Sequence, residues 1–218
     1  MSEQQLSHID GEYEEFVLGD LDPPAAHDPP ASSAKCNQVS CAAQDQNAFC
    51  VPLSFDQVLI TATGGTTGMT GITPGMIIPL STVARNVDGV KGTLKLKFNN
   101  SLSKAAYALY VFNATSQENR ITSAALYLAP AGATGPMVVP LYLGPPRVVN
   151  GLLIKGTIDN RSIIPAAATD SLPAVNNVAS LYQAIREGVL YASVNSDRFP
   201  NGVIRGQIYL KHGYASSK

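Results

Sequence analysis

The stretch Tyr191–Leu210, YASVNSDRFPNGVIRGQIYL, decides how the rest of the chain is read. Its first arm, from Val189 to Asn195, is apolar and rich in β-formers. Its second arm alternates. Ile204, Gly206, Ile208 and Leu210 fall on one face of an extended chain, and Val203, Arg205, Gln207 and Tyr209 on the other, because successive side chains of a strand point to opposite sides. Between the arms stand Asp197, Phe199, Pro200, Asn201 and Gly202. Asn-Gly supplies the positive φ angles of a tight turn, and Pro200 fixes the approach to it. The stretch therefore predicts a β-hairpin. Arg205 in mid-strand is its odd member, and two readings stay open. One is a structural arginine held by carboxylates or carbonyls, since an unpaired buried charge is costly. The other is an arginine that faces a partner, with exposed Val203 and Tyr209 making the same face apolar, as an interface would be.

Upstream, the pattern remains β from Val51 onward. Phe55, Val58 and Ile60 mark a strand that the Gly/Thr run TGGTTGMTG stops. A second strand, Met76 to Ala84, is interrupted by Pro79. From Gly92 to Phe98 the chain alternates, with Leu94, Leu96 and Phe98 inward and Thr93, Lys95 and Lys97 outward, the pattern of a strand with one wet face. Ala105–Phe112 is apolar on both faces and belongs centrally. Ile121–Leu128 and Met137–Leu143 follow, then Leu152–Ile158 after a tight turn predicted at Asn150-Gly151. Val178, Leu181, Tyr182 and Ile185 recur at helical spacing within Asn176–Glu187. Asn177 is placed to cap that helix, Gly188 to end it, and Arg186 to complement its dipole. The expected fold class is all-β: an antiparallel Greek-key sandwich or barrel with one short helix and an extended N-terminal arm.

The chain has 218 residues, enough for one domain and a tail. The division expected is an arm over residues 1–50 and a domain over 51–218. Charged residues make up 14%, against roughly 25% in ordinary soluble proteins, and the net charge is -1. That leaves no electrostatic footprint for nucleic acid or anionic membrane, and little repulsion against self-association. No apolar run reaches the roughly 18 to 20 residues of a membrane span.

The arm divides into parts. Residues 1–20 hold six acidic residues and no Lys or Arg, the opposite of a secretion signal's basic start and apolar core. The expectation is a chain made in the cytosol. Within this stretch EYEEFVL offers β-formers, Tyr13, Phe16, Val17 and Leu18, for one short ordered element. Pro23 to Pro30 contains four prolines and reads as an extended, semi-rigid spacer. Then come all three cysteines, Cys36, Cys41 and Cys50. Their spacing does not suit zinc, which prefers close pairs and four ligands, and only His27 stands nearby. An odd count leaves one thiol over for a neighbouring chain, so the three are candidates for crosslinks between chains, with buried thiols as the plainer reading.

Catalytic motifs are missing. There is no GxSxG elbow, no phosphate loop leading into a helix, and no HExxH. His8, His27 and His212 lie near the chain ends, so the domain interior has no histidine for a triad. Asp159, Asp170 and Glu187 share no motif. The sequence carries no sign of an enzyme, a cofactor or a metal.

The C-terminal stretch resembles the motif of the CHRD (chordin) domain family, which runs Tyr-x-Asn-x-His-Thr, a short gap, then Phe-Pro-Gly-Gly-Glu-Ile-Arg-Gly-Gln. Tyr191, Phe199, Pro200, Gly202, Ile204, Arg205, Gly206 and Gln207 match it. A second family segment, Ala-His-Ile-His-x-Gly with a Gly-rich turn and a Val-rich strand, is similar to AALYLAPAGATGPMVVPLYLG over Ala124–Gly144. The resemblance spans about residues 85–211 and implies an antiparallel sandwich without a defined enzymatic role. Where similar domains carry histidines, this chain has Ala125, Tyr127 and Asn195, so any metal site of the family is expected to be lost here. Val203 and Asn201 also depart, standing where the family has Glu and Gly.

Two functional expectations follow. The first is a non-enzymatic structural protein that assembles with itself, and with other coat or capsid proteins, in an outer layer: a spore coat or exosporium, a filament or a virus particle. The second is an extracellular module that binds protein or glycan, for which the sequons at Asn99, Asn113 and Asn160 speak weakly.

Overall fold

In the computed structural model, residues 47–61, 77–80 and 89–210 are described. Ten strands and one helix follow in chain order among them: β1 Ala48–Leu53, β2 Leu59–Thr61, β3 Ile77–Pro79, β4 Lys91–Phe98, β5 Ala105–Ala114, β6 Ile121–Leu128, β7 Met137–Arg147, β8 Val149–Ile158, α1 Val178–Arg186, β9 Leu190–Ser196 and β10 Ile204–Ile208. They form two four-stranded sheets, ordered β1-β4-β5-β8 and β10-β9-β6-β7, with β2 and β3 as a separate pair. Every pairing is antiparallel. The chain leaves β5 for the β6–β7 hairpin on the second sheet and returns as β8 beside β5, a Greek-key path.

Alternation builds the core. Leu94, Leu96 and Phe98 of β4 and Tyr107, Leu109 and Val111 of β5 face Ala124, Leu126 and Leu128 of β6 and Leu190, Ala192 and Val194 of β9, all buried in one cluster. Such packing of two inner faces is what drives a sandwich together. Helix α1 closes one end. Val178, Leu181, Ala184 and Ile185 are fully buried, and Tyr182 meets Phe98 edge-on at 5.1 Å. Asn177 caps it by accepting the Ser180 N–H at 2.8 Å.

Both edges of the sandwich are drawn together. On one side Ser54, just past β1, exchanges backbone hydrogen bonds with Arg205 of β10, at 2.9 and 3.0 Å. On the other, β7 turns at Val148 straight into β8. β7 contains Pro140, Pro145 and Pro146, which lack the N–H needed to accept another strand.

Five expectations change. The strand read from Phe55 starts only at Leu59, because Phe55–Gln57 forms a 3-10 turn. The sheet begins at Ala48, not Val51, so Cys50 lies inside β1 opposite Lys95. Asn150-Gly151 makes no turn. It sits within β8, where Gly151 has a φ of 143° near a register shift against β5. Lys95, read as an outward residue of a wet face, is 3% exposed. Val203 is fully buried instead of exposed, because the chain still belongs to the turn there: its N–H donates to Val194 O at 2.7 Å before β10 begins.

Candidate functional site

The outward faces of β6, β9 and β10 form one surface. Tyr127 and Tyr191 are cross-strand partners, with rings stacked 5.3 Å apart. Arg205 lies over the Tyr191 ring, its guanidinium carbon 3.5 Å from the centroid, and donates to Ala133 O at 2.7 Å. The Tyr191 hydroxyl accepts the Gly135 N–H at 3.4 Å. Gln207 donates to Ala129 O at 3.0 Å and to Gly188 O at 2.8 Å, while its backbone N–H donates to Gln57 Oε1 at 3.2 Å. Arg205 and Gln207 therefore fasten the β6–β7 connection and the turn after α1 to the sheet. Burial pushes the Tyr191 phenol above its ordinary range, with the Arg205 charge pulling the other way. Burial lowers Arg205, opposed by Tyr191. Arg205 is 4% exposed, and its guanidinium meets a carbonyl and a ring.

The inward side of the same motif shapes the closure. A Cβ at Gly206 would stand 2.4 Å from Pro52 O, so only glycine lets β1 pass this close to β10. Gly202 takes a φ of 126°, the region that favours glycine, and its N–H donates to Phe199 O at 3.1 Å. Phe199 packs edge-on against Phe55 at 5.5 Å, and Pro200 is exposed on the turn. The partners of the motif, Ala133 O, Gln57 and the Tyr127–Tyr191 stack, were not foreseen. Tyr191 could have been: the register that pairs it with Gln207 also puts it beside Arg205.

Ala125, Tyr127 and Asn195 occupy neighbouring outward positions on this face. Ala125 pairs with Ser193, and Asn195 pairs with Ser123 and donates to its hydroxyl at 3.0 Å. A patch of small and aromatic side chains thus stands where similar domains carry imidazoles. Among the described residues no group of three or more His, Cys, Asp or Glu is placed to hold a metal.

Cys50 is half-buried on the outer side of β1, and no disulfide joins described residues. Cys36, Cys41, Tyr13, Phe16, Val17 and Leu18 lie outside the described residues. Of the sequons, Asn99 is committed to its own turn. Its Oδ1 accepts the N–H groups of Ser103 and Lys104, and its Nδ2 donates to the Ser101 and Ser103 hydroxyls, all at 3.0 Å. Asn160 is exposed and accepts the Val178 N–H at 2.9 Å.

The β7–β8 corner carries another surface. Leu143, Val148 and Leu152 are 67, 44 and 43% exposed, and Val148 and Leu152 line a shallow cleft with Arg147 and Asn150. Arg147 lies over the Tyr142 ring at 4.8 Å and donates to Leu153 O, holding the corner in shape.

No curated protein and no solved structure matches the chain. The CHRD domain matches over residues 77–208, more than half of the chain, and the chain therefore belongs to the CHRD domain family.

Proposed function

We propose that this CHRD domain protein is a non-enzymatic structural module that associates with copies of itself through the β7–β8 corner. The supporting observation is the exposure of Leu143, Val148 and Leu152 around that corner, next to exposed Pro145 and Pro146. Val148 and Leu152 share one cleft and Leu143 is exposed on the other side of the turn; exposed apolar side chains mark contact surfaces, and a chain with only 14% charged residues repels its copies weakly. β8 is the edge strand there without proline. The N-terminal arm, through Tyr13, Phe16, Val17 and Leu18, would extend the contact, and thiols of Cys36, Cys41 or Cys50 would lock it in oxidising surroundings. An outer layer such as a spore coat, exosporium, filament or virus particle is the setting in which such a lock would serve.

Light scattering and negative-stain electron microscopy over a concentration series test the reading. Oligomers that Leu143→Asp with Leu152→Asp disperses are expected. A full chain that stays monomeric throughout overturns it. Family membership favours a second reading, an extracellular module that binds another protein or a glycan. On that reading the same double substitution removes binding to the partner and leaves the monomer unchanged.

A further inference from the structure

The chain contains two Asn-Gly pairs, Asn150-Gly151 and Asn201-Gly202. Such a pair has a chemistry of its own. Glycine has no Cβ to keep its backbone nitrogen away from the preceding side-chain amide, so that nitrogen can attack the asparagine Cγ. The fold decides how freely it does so, and the two pairs are held differently.

Asn201 is exposed on its turn, but Gly202 is buried. The Gly202 N–H donates to Phe199 O at 3.1 Å. A Cβ at Gly202 would meet Ser193 Oγ and Val58 Cγ1, both at 3.1 Å. The nitrogen is tied, and its surroundings leave little room for a ring to close. At the other pair Asn150 is exposed and Gly151 half-buried, and a Cβ at Gly151 would meet nothing within 4 Å. Both residues line the cleft of the β7–β8 corner. The ladder is irregular beside them. Val111 pairs with Gly151 and Ala114 with Val149, so Phe112 and Asn113 of β5 together stand opposite Asn150 alone. A bulge of this kind disrupts the pairing locally. Asn113 has a φ of 62°, and its N–H donates to Asn150 Oδ1 at 3.2 Å. That donor faces the oxygen on which negative charge gathers when Cγ is attacked, and a fixed backbone N–H in such a place favours the attack.

We propose that Asn150 is a site of self-modification, in which the Gly151 nitrogen closes on Asn150 Cγ and the side-chain amide is lost. Solvent base takes the Gly151 proton as the new N–Cγ bond forms. The Cγ–Nδ2 bond then breaks, and Nδ2 takes a proton from water and leaves as ammonia. Water opens the resulting succinimide at one of its two carbonyls. One opening gives aspartate at position 150; the other gives isoaspartate, whose backbone runs through Cγ. Water is the only co-reactant, and nothing is oxidised or reduced. Either product sets a carboxylate in the cleft that Arg147 also lines, and the isoaspartyl form inserts a methylene into β8 opposite the bulge.

The test incubates the full, folded chain in mildly alkaline buffer and follows it by tryptic peptide mapping. Cleavage after Arg147 and Lys155 isolates residues 148–155, and cleavage after Arg198 and Arg205 isolates residues 199–205, so each peptide carries one Asn-Gly pair. The mass gain of amide-to-acid conversion is read in both peptides, and isoaspartate by enzymatic methylation. Asn150 is expected to convert severalfold faster than Asn201 in the folded chain, and at nearly the same rate as Asn201 in guanidinium, where neither pair is held. Asn150→Gln, which would have to close a larger and much slower ring, should stop the conversion in residues 148–155 and leave that of Asn201 unchanged. Equal rates at the two positions in the folded chain, faster conversion of Asn201, or no conversion of Asn150 while the unfolded chain converts would each overturn the proposal. A preference for Asn150 that persists unchanged in guanidinium would come from the neighbouring sequence, and would overturn the part assigned to the bulge and to Asn113.

Discussion

The guanidinium of Arg205 and the ring of Tyr191 lie 3.5 Å apart, carbon to centroid, on the outward side of the second sheet. Neither group could be buried there alone. The ring compensates for the water that the cation loses, and the Ala133 carbonyl takes one of its N–H groups. Arg205→Ala removes both contacts and leaves that carbonyl without its donor, which should cost about 3 kcal/mol. Arg205→Lys keeps the charge but not the planar stack, so it should recover less than half of the loss. Urea unfolding of both variants measures this. If Arg205→Ala unfolds at the same urea concentration as the native chain, the motif arginine is not structural.

Gly206 is the next residue and faces the other way. Its missing Cβ leaves room for Pro52 O, and the same Cβ would also meet Leu53 Cδ2 at 2.9 Å and Val51 Cγ1 at 3.0 Å. The closest of these is backbone, which cannot rotate aside. Gly206→Ala should therefore push β1 off β10 and cost about 3 kcal/mol or more. Hydrogen exchange locates the effect: the N–H groups of Ser54 and Arg205, which close the edge, should lose protection before those of β5. Uniform protection across the variant would show that the closure does not depend on this glycine.

Buried phenols set the alkaline limit. Burial raises Tyr107 and Tyr191 above the ordinary 10.0, so in the folded chain they stay neutral at a pH where the unfolded chain ionises them. Below pH 10 both states hold the proton and the stability is fully present. As pH rises from 10 through the raised folded values, the unfolded state releases protons first and stability falls. Spectrophotometric titration should show Tyr107 and Tyr191 ionising late, together with a drop in the urea midpoint over the same range. Titration of all tyrosines as one class near pH 10, with the fold intact, would contradict this.

The hairpin, helix α1 and the central place of β5 were legible because each carries a local signal: Asn201-Gly202, the Asn177 cap, and a stretch apolar on both faces. The losses of accuracy are equally local. Asn150-Gly151 has turn chemistry, but the pairing of β8 with β5 absorbs it as an irregularity in the ladder. Val203 continues the alternation of β10 in sequence, yet the turn from Phe199 to Gly202 rotates it inward. Burial of Lys95 depends on what surrounds it in space, and a period-2 pattern cannot report that. The role of Arg205 was left open for the same reason, since Ala133 lies 72 residues away along the chain.

The boundary between arm and domain gives the last expectation. An arm ending at Cys50 predicts that removal of residues 1–50 leaves the domain whole. Strand β1 crosses that boundary. Ala48, Phe49 and Cys50 are the first half of β1 and pair with Lys97, Leu96 and Lys95. Phe49 is buried, edge-on to Phe98 at 5.9 Å and to Tyr182 at 6.1 Å, so it joins the first sheet to helix α1. Deleting it with its strand exposes both rings. Loss of a buried Phe side chain alone costs about 3–5 kcal/mol, a large part of the roughly 5–15 kcal/mol that holds a domain together. Removal of residues 1–46 leaves β1 intact and should change stability by no more than about 1 kcal/mol, the scale of exposed contacts. Removal of residues 1–50 should lower it by several times that amount, or yield insoluble protein. The two truncations, compared by urea unfolding and by the near-ultraviolet signal of the tyrosines, separate the boundaries. Equal stability would return Ala48–Cys50 to the arm; a large loss already on removing residues 1–46 would make the arm itself part of the folded domain.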